Sequence, residues 1–73
     1  MRRVRYEGGI VPELTPRETE VLHRIAAGQS TLTMASEMNV TTETLRSYVK
    51  NVLVKLGAHN RVEAIVLAGR YGI

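Results

Sequence analysis

Residues 30–57, "STLTMASEMNVTTETLRSYVKNVLVKLG", decide the fold, because they contain two helical patterns with almost nothing between them. Ser30 is a candidate cap for a short first helix, and Asn39 is a candidate left-handed stop at its end. Only Val40 separates that stop from Thr41, the candidate cap of a second helix. Two helices that meet across a turn of about three or four residues form a helix-turn-helix.

The second of these helices, predicted over residues 42–56, has two different sides. One arc of the helical wheel is apolar, and we predict that it faces the core. The opposite side carries the cations Arg46 and Lys50 together with Ser47 and Asn51. A solvated face more often carries Glu–Lys pairs four residues apart, so this side is a candidate reading surface. The predicted core arc consists of Leu45, Val49, Val52, Leu53 and Leu56.

Positive charge is concentrated around this helix. The formal net charge is +3, but residues 13–43 contain two arginines against five glutamates. Residues 44–62, in contrast, contain four cations and no acid. This distribution suits an anionic partner better than an evenly mixed surface would. A merely solvated basic face is the alternative.

The flanking sequence supplies two more helices and completes an all-α fold. Thr15, Pro16 and Glu18 have the arrangement of a capping box with proline at the first helical position. Asn60 and Glu63 repeat the capping-box spacing. We therefore predict a four-helix bundle over residues 13–73, preceded by a basic, flexible tail over residues 1–12. The predicted helices cover about 16–27, 31–38, 42–56 and 61–70.

The last helix is apolar on two sides, which a 73-residue domain cannot both bury against its own chain. We assign the stripe of Val62, Ile65, Val66 and Gly69 to the core. The other stripe contains small residues that would let two copies of this helix approach closely, so we predict a two-fold homodimer through helix 61–70. The alternative is that the segment around Ile10, Val11 and Leu14 covers this stripe. The predicted dimer interface consists of Ala64, Leu67, Ala68 and Tyr71.

The composition argues against an enzyme. The chain contains no Cys and no Asp, and His23 and His59 lie far apart with no cluster of metal ligands around them. We therefore expect no catalytic residue, no metal site and no cofactor. No apolar run approaches the roughly 20 residues that cross a bilayer, so we expect a cytoplasmic protein without a membrane partner.

From Leu14 to the C-terminus, the chain resembles the LuxR/GerE/NarL type of DNA-binding domain. The resemblance rests on several motifs in order: "LTPRETEVL", "AAGQS", "VTTETLRSYVKNVLVKLG" and "NRVEAIVLA". It implies a bacterial transcription regulator with a four-helix fold, whose third helix enters the major groove of DNA and whose fourth helix commonly dimerises. With only residues 1–12 ahead of the domain, the chain would be a stand-alone regulator of the GerE kind or the end of a longer protein.

The resemblance also implies the site. Base contacts fall on Arg46, Ser47 and Lys50, of which the two cations suit guanine O6 and N7. The second helix departs from the family, because Thr31, Leu32 and Thr33 stand where Asn-Lys-Glu is usual. That departure removes a cation and an acid together. Contacts to phosphate are predicted at Thr31, Thr41, Thr42, Thr44, Asn51 and Lys55.

Two further expectations complete the interpretation. The tail cations Arg2, Arg3 and Arg5 would add phosphate or minor-groove contacts, with a disordered basic tail as the equal alternative. A helix-turn-helix also serves as a protein-binding module, docking on RNA polymerase or on another regulator, and an exposed Leu32 and Val54 would suit that use. The principal prediction is a homodimeric regulator that binds specific sequences of double-stranded DNA.

Overall fold

The computed structural model describes residues 4–6 and 9–73, with side chains from Pro12 onward. The predicted four-helix bundle is confirmed, and each helix begins at the predicted residue and ends within one residue of the predicted end. The helices are α1 (Pro16–Ala26), α2 (Thr31–Glu37), α3 (Thr42–Leu56) and α4 (Arg61–Tyr71). They are preceded by two short strands, β1 (Val4–Tyr6) and β2 (Gly9–Val11).

The two strands were not predicted. They pair antiparallel, with Val4 opposite Val11 and Tyr6 opposite Gly9. A flexible tail was predicted for this segment, because three residues on each side are too few to display the alternation that identifies a strand. The signal that was present is local: β-branched and aromatic residues favour extended backbone, and they stand on both sides of Gly8 and Gly9.

Thr15 and Asn60 cap α1 and α4 as predicted, but only one of the two predicted capping boxes is complete. The Thr15 hydroxyl accepts a hydrogen bond from the Glu18 backbone N–H at 3.1 Å, and the Glu18 carboxylate accepts one from the Thr15 N–H at 2.8 Å. This is the reciprocal capping box. At α4, Asn60 caps the N–H of Glu63 at 2.8 Å, but the Glu63 carboxylate turns to the N–H of His59 instead of that of Asn60. The capping box predicted for α4 is therefore only half formed.

The turn between α2 and α3 is short and fully defined. Asn39 has a φ of 58° and thus supplies the left-handed stop that was predicted. Val40 follows, and the Thr41 hydroxyl then caps α3 by accepting a hydrogen bond from the Thr44 N–H at 3.1 Å. Gly57, with a φ of 74°, ends α3 in the same left-handed region.

The core lies between the helices, and α3 packs against each of the other three. Its predicted core arc is confirmed, since Leu45 and Val52 are fully buried and Leu53 packs against the core from its edge. Tyr48 also packs against the core. The remaining buried apolar residues are Val21, Leu22, Ile25, Met34, Ala35, Met38, Val49, Leu56, Ala64 and Ala68.

The predicted facing of α4 is wrong. Ala64 and Ala68, which were assigned to a dimer interface, are buried in the core of their own chain, and Leu67 and Tyr71 pack against that core. The physical reason is distance: alanine lets the α4 backbone approach α1 and α3 closely, whereas larger side chains would hold it away. The stripe assigned to the core is instead exposed, as Val62, Ile65, Val66 and Gly69 show.

Candidate nucleic-acid interface

The outward side of α3 presents the polar residues that the sequence predicted. Arg46, Ser47, Lys50 and Asn51 are all exposed on this helix. Their spacing places Arg46 and Lys50 one turn apart, so the two side chains are neighbours on the helix surface. Val54, one turn beyond Lys50, is 70% exposed and continues the same side. The structure thus brings the three predicted base-contacting residues together on one surface.

The ion pairs of the described residues 12–73 separate the cations into two groups. Arg17 and Arg24 both pair with Glu20. Arg24 also reaches Glu37 and so ties α1 to α2. Lys55 pairs with Glu18. Within that range, four cations have no ion pair with an acid: Arg46, Lys50, Arg61 and Arg70. Three of these four lie in the acid-free window that the sequence revealed.

Lys55, which was predicted to contact phosphate, is bound inside the domain. Its ammonium Nζ lies 2.7 Å from Glu18 Oε1, and the side chains are 21% and 7% exposed. Burial alone would raise the pKa of Glu18, but hydrogen bonds from Lys55 and from the Thr15 backbone outweigh burial and hold that pKa below its ordinary value. The pair links the start of α1 to the last turn of α3. Its charge is neutralised, which leaves Lys55 little attraction for phosphate.

The threonines at the start of α3 differ in what they can still donate. The Thr41 hydroxyl accepts from the Thr44 N–H and donates its own proton to Thr44 Oγ1 at 3.0 Å, so it is used within the helix cap. The Thr44 hydroxyl is exposed and accepts that bond, which leaves its own proton for an outside acceptor. Thr42 is half-buried beside it. Thr44 is therefore the best-placed hydroxyl donor at this end of the helix.

A connection between α4 and α2 was not predicted. Arg61, the first residue of α4, donates a hydrogen bond from Nη2 to Thr31 Oγ1 at 2.6 Å. Thr31 is the first residue of α2, and both side chains are half-buried. Apart from this bond, the two helices hardly touch. Arg61 lies in the acid-free window of the sequence, and no role was predicted for it.

Two large apolar side chains stand at the edges of this region. Leu32, the second residue of α2, is 72% exposed, and Val54 is 70% exposed. Both exposures agree with the sequence analysis. Leu32 follows Thr31 directly and occupies the position where the resemblance leads one to expect a cation.

The exposed stripe of α4 forms a third surface. Val62 is 71% exposed, Val66 is 52% exposed and Ile65 is 39% exposed. Gly69 continues the stripe, and a Cβ atom added there would meet nothing within 4 Å. We call these four residues the outer α4 face. The cover predicted as an alternative, around Ile10, Val11 and Leu14, was offered for the opposite stripe of α4, which packs into the core of its own chain.

The contacts predicted for Arg2 and Arg3 lie outside the described residues. For Arg5, only the backbone of β1 is described, paired with Ile10. Within residues 4–6 and 9–73, no helix is both long enough and apolar enough to cross a bilayer.

Comparison with known proteins identifies relatives over almost the whole helical region. Residues 12–68 match the model of the family described as bacterial regulatory proteins, luxR family. The transcriptional activator RamA of Corynebacterium glutamicum is 43% identical over 82% of this chain and 21% of its own length. The regulatory protein DesR of Bacillus subtilis is 41% identical over 81% of this chain and 30% of its own length. The chain thus spans less than a third of these two relatives.

Solved structures give the same fold. The chain is similar to the Vibrio cholerae VqmA dimer, a LuxR-type receptor, with a TM-score of 0.79 and 28% identity over 99% of this chain and 34% of that one. It is also similar to a VqmA–ligand–DNA complex, with a TM-score of 0.78 and 28% identity over 93% of this chain and 30% of that one.

Proposed function

Since the chain belongs to the luxR family of bacterial regulatory proteins and carries its helix-turn-helix DNA-binding domain, we propose that it binds specific sequences of duplex DNA as a homodimer. In this proposal α3 lies in the major groove, which is wide enough to admit one helix. The observation that carries the proposal is the outward side of α3, where Arg46 and Lys50 are exposed and form no ion pair with any described acid.

The base contacts follow from the chemistry of these side chains. Arg46 offers a planar guanidinium that can donate two hydrogen bonds to O6 and N7 of one guanine. Lys50 lies one turn further along α3 and can reach a neighbouring base pair with a single flexible cation. Ser47, between them, is small enough to let the helix approach the base edges. A contact of Val54 with a thymine methyl group would fit the same docking.

Contacts to phosphate fix the register of the helix in the groove. Thr44 has a hydroxyl proton available, and Thr42 and Asn51 border the same side of α3. The amides of the first turn of α3 add the positive end of a 15-residue helix. Lys55 is left out of this set, because its ammonium is paired with Glu18.

For the dimer, the outer α4 face replaces the interface predicted from sequence. It is apolar, exposed and free of charge, and such a surface is stabilised by burial against a second copy. Gly69 in this stripe destabilises α4 relative to an alanine at the same position. Close approach of two α4 backbones at Gly69 would offset this destabilisation. A solved relative, VqmA, is described as a dimer. Two copies would present two α3 helices to half-sites about one helical turn apart.

Selection from random duplex DNA, followed by salt-controlled titration of the selected site, tests the proposal. Arg46→Ala or Lys50→Ala should each cost about 1–3 kcal/mol on that site and relax the preference at one position. Arg70→Ala removes the same charge from the far end of α4 and is the matched control. If the parent enriched no sequence, or if the α3 variants bound as well as Arg70→Ala, α3 would not be the reading surface.

The exposure of Leu32 and Val54 favours one second candidate, a protein partner such as RNA polymerase or another regulator. Leu32→Thr should then weaken capture of that partner and leave DNA titration unchanged. Equal partner capture by parent and variant would remove this candidate.

A further inference from the structure

Among the cations in residues 12–73, only Arg61 combines three features. It is half-buried, it forms no ion pair with a described acid, and its guanidinium is held by a hydroxyl on another helix. Arg17, Arg24 and Lys55 are neutralised by glutamates. Arg46 and Lys50 are unpaired but exposed. A half-buried cation that no acid neutralises keeps its charge for an anion outside the domain.

The position of Arg61 points to the DNA backbone. In a helix-turn-helix, the second helix occupies the major groove and the first helix crosses the backbone beside it. Here α2 is that first helix, and Thr31 is its first residue. The 2.6 Å bond from Arg61 to Thr31 therefore places the guanidinium at the N-terminal end of the helix that crosses the backbone.

The donors that remain are suited to phosphate. A guanidinium has five N–H groups in a planar fork, and the described bond uses one of them, on Nη2. The Thr31 hydroxyl accepts this bond and keeps its own proton. Arginine and threonine can thus donate to the oxygens of a single phosphate, and a bidentate arginine–phosphate contact is among the stronger charge-assisted hydrogen bonds.

We propose that Arg61 is a phosphate contact of the bound duplex and that Thr31 holds it in position. This inference rests on the proposed function, since it requires α3 to dock in the groove. It also gives the domain a substitute for the cation that is missing at Leu32. The contact carries no sequence information, so it differs in kind from the contacts of Arg46 and Lys50.

The test is a titration of the selected duplex and of an unrelated duplex, at several salt concentrations, with Arg61→Ala and with Arg70→Ala as the matched control. Arg61→Ala should lower affinity for both duplexes by the same factor, about 3- to 10-fold, and reduce the salt slope by about 0.9. The loss should be roughly 3-fold larger at 50 mM than at 200 mM salt. Arg70→Ala should change the slope by much less.

Two further variants separate electrostatics from structure. Arg61→Lys keeps the cation and should restore the salt slope, whereas Arg61→Gln keeps a donor for Thr31 and should not. Thr31→Val should weaken binding in the parent but add little to Arg61→Ala, because the two residues act as a unit. Circular dichroism and the oligomeric state of each variant check that the fold and the dimer persist.

The outcomes distinguish the two proposals. If the parent prefers its selected site and Arg61→Ala matches Arg70→Ala in affinity and slope, the phosphate contact is wrong and the proposed function stands. If Arg61→Gln binds like the parent, the role of Arg61 is structural and the inference also fails. If the parent binds no duplex at all, the proposed function itself fails.

Discussion

Each of the helices α3 and α4 turns one side to the core and the other side outward. The sequence predicted this orientation correctly for α3 but not for α4. On α3 the apolar side lies opposite a side with cations and short polar residues. Burial of this polar side would remove Arg46 and Lys50 from water. On α4 both long sides are apolar, and only Glu63 and Arg70 among its residues after Arg61 are charged. The orientation of α3 is therefore determined by the polarity of its side chains, and the orientation of α4 is determined by their size.

This difference shows which property determines the buried side of a helix when both of its sides are apolar. The α4 side that packs inward carries Ala64 and Ala68, and the side with three β-branched residues stays outside. A larger apolar residue gains more from burial by area. Close packing of α4 against α1 and α3 nevertheless requires small side chains at the contact. Shape thus outweighs apolar area on this helix.

The largest effect on stability is expected when a charged residue is placed on the buried side of α4. Ala64→Glu would place an unpaired carboxylate in a fully buried position and should cost more than about 4 kcal/mol of unfolding free energy. Val62→Glu, the matched control on the exposed side, should change the unfolding free energy of the monomer by less than about 0.5 kcal/mol. Urea unfolding at low protein concentration measures both.

In the proposed dimer, Val62→Glu places like charges opposite each other across a two-fold axis and should abolish association. Sedimentation at rising concentration reports this. Equal destabilisation by the two glutamates would contradict the facing of α4 described above.

An intermediate loss of stability is expected when the ion pair between Lys55 and Glu18, which links α3 to α1, is removed. Lys55→Met should lower the unfolding free energy by about 2 kcal/mol at pH 7. This is less than the roughly 3–5 kcal/mol of a fully buried pair, because the Lys55 side chain is 21% exposed. Lys50→Met makes the same change on the exposed side of α3 and should have almost no effect on stability. Thermal or urea unfolding compares them.

The effect of Lys55→Met should depend on pH. The folded-state pKa of Glu18 is lowered, so its ionisation stabilises the fold fully above about pH 4.5, its ordinary value. That contribution is lost as the pH falls through the folded-state pKa. The difference between parent and Lys55→Met should therefore shrink below about pH 4.5. A constant difference from pH 7 to pH 3 would show that the pair contributes by packing alone.

The smallest effect concerns Gly69. In the monomer, Gly69→Ala meets open space and should raise the unfolding free energy by about 0.5–1 kcal/mol through helix propensity. In the proposed dimer, the added methyl group should weaken association if the two α4 backbones approach each other at Gly69. Concentration-dependent unfolding separates the two contributions. A stronger dimer with Gly69→Ala would mean that the helices meet elsewhere on the outer α4 face.

The helices and the α3 surface could be predicted because their signals are local and mutually consistent. Thr15, Ser30, Thr41 and Asn60 each cap the helix that follows, and Asn39 supplies the left-handed stop. The wheel of α3 then assigns the exposed residues without further information. None of these inferences depends on a distant part of the chain.

Three of the features that sequence could not supply depend on residues that are far apart in the chain. Lys55 was read as a free cation, because nothing local indicates that Glu18, 37 positions earlier, would take its charge. Arg61 and Thr31 are 30 positions apart, and their bond exists only once α4 has packed. The facing of α4 likewise depends on how near α1 and α3 lie.

The turn formed by Asn39 and Val40 has a consequence for how this domain can vary. Both ends of the turn are fixed, by the left-handed Asn39 and by the Thr41 cap. One inserted or deleted residue would rotate α3 by about 100° relative to α2, if the core contacts of α2 were kept. Leu45 would then leave the core, and Thr44 would take its place after an insertion or Arg46 after a deletion. Substitutions on the outside of α3 would leave this arrangement of the two helices intact, whereas a change in the length of the turn would not.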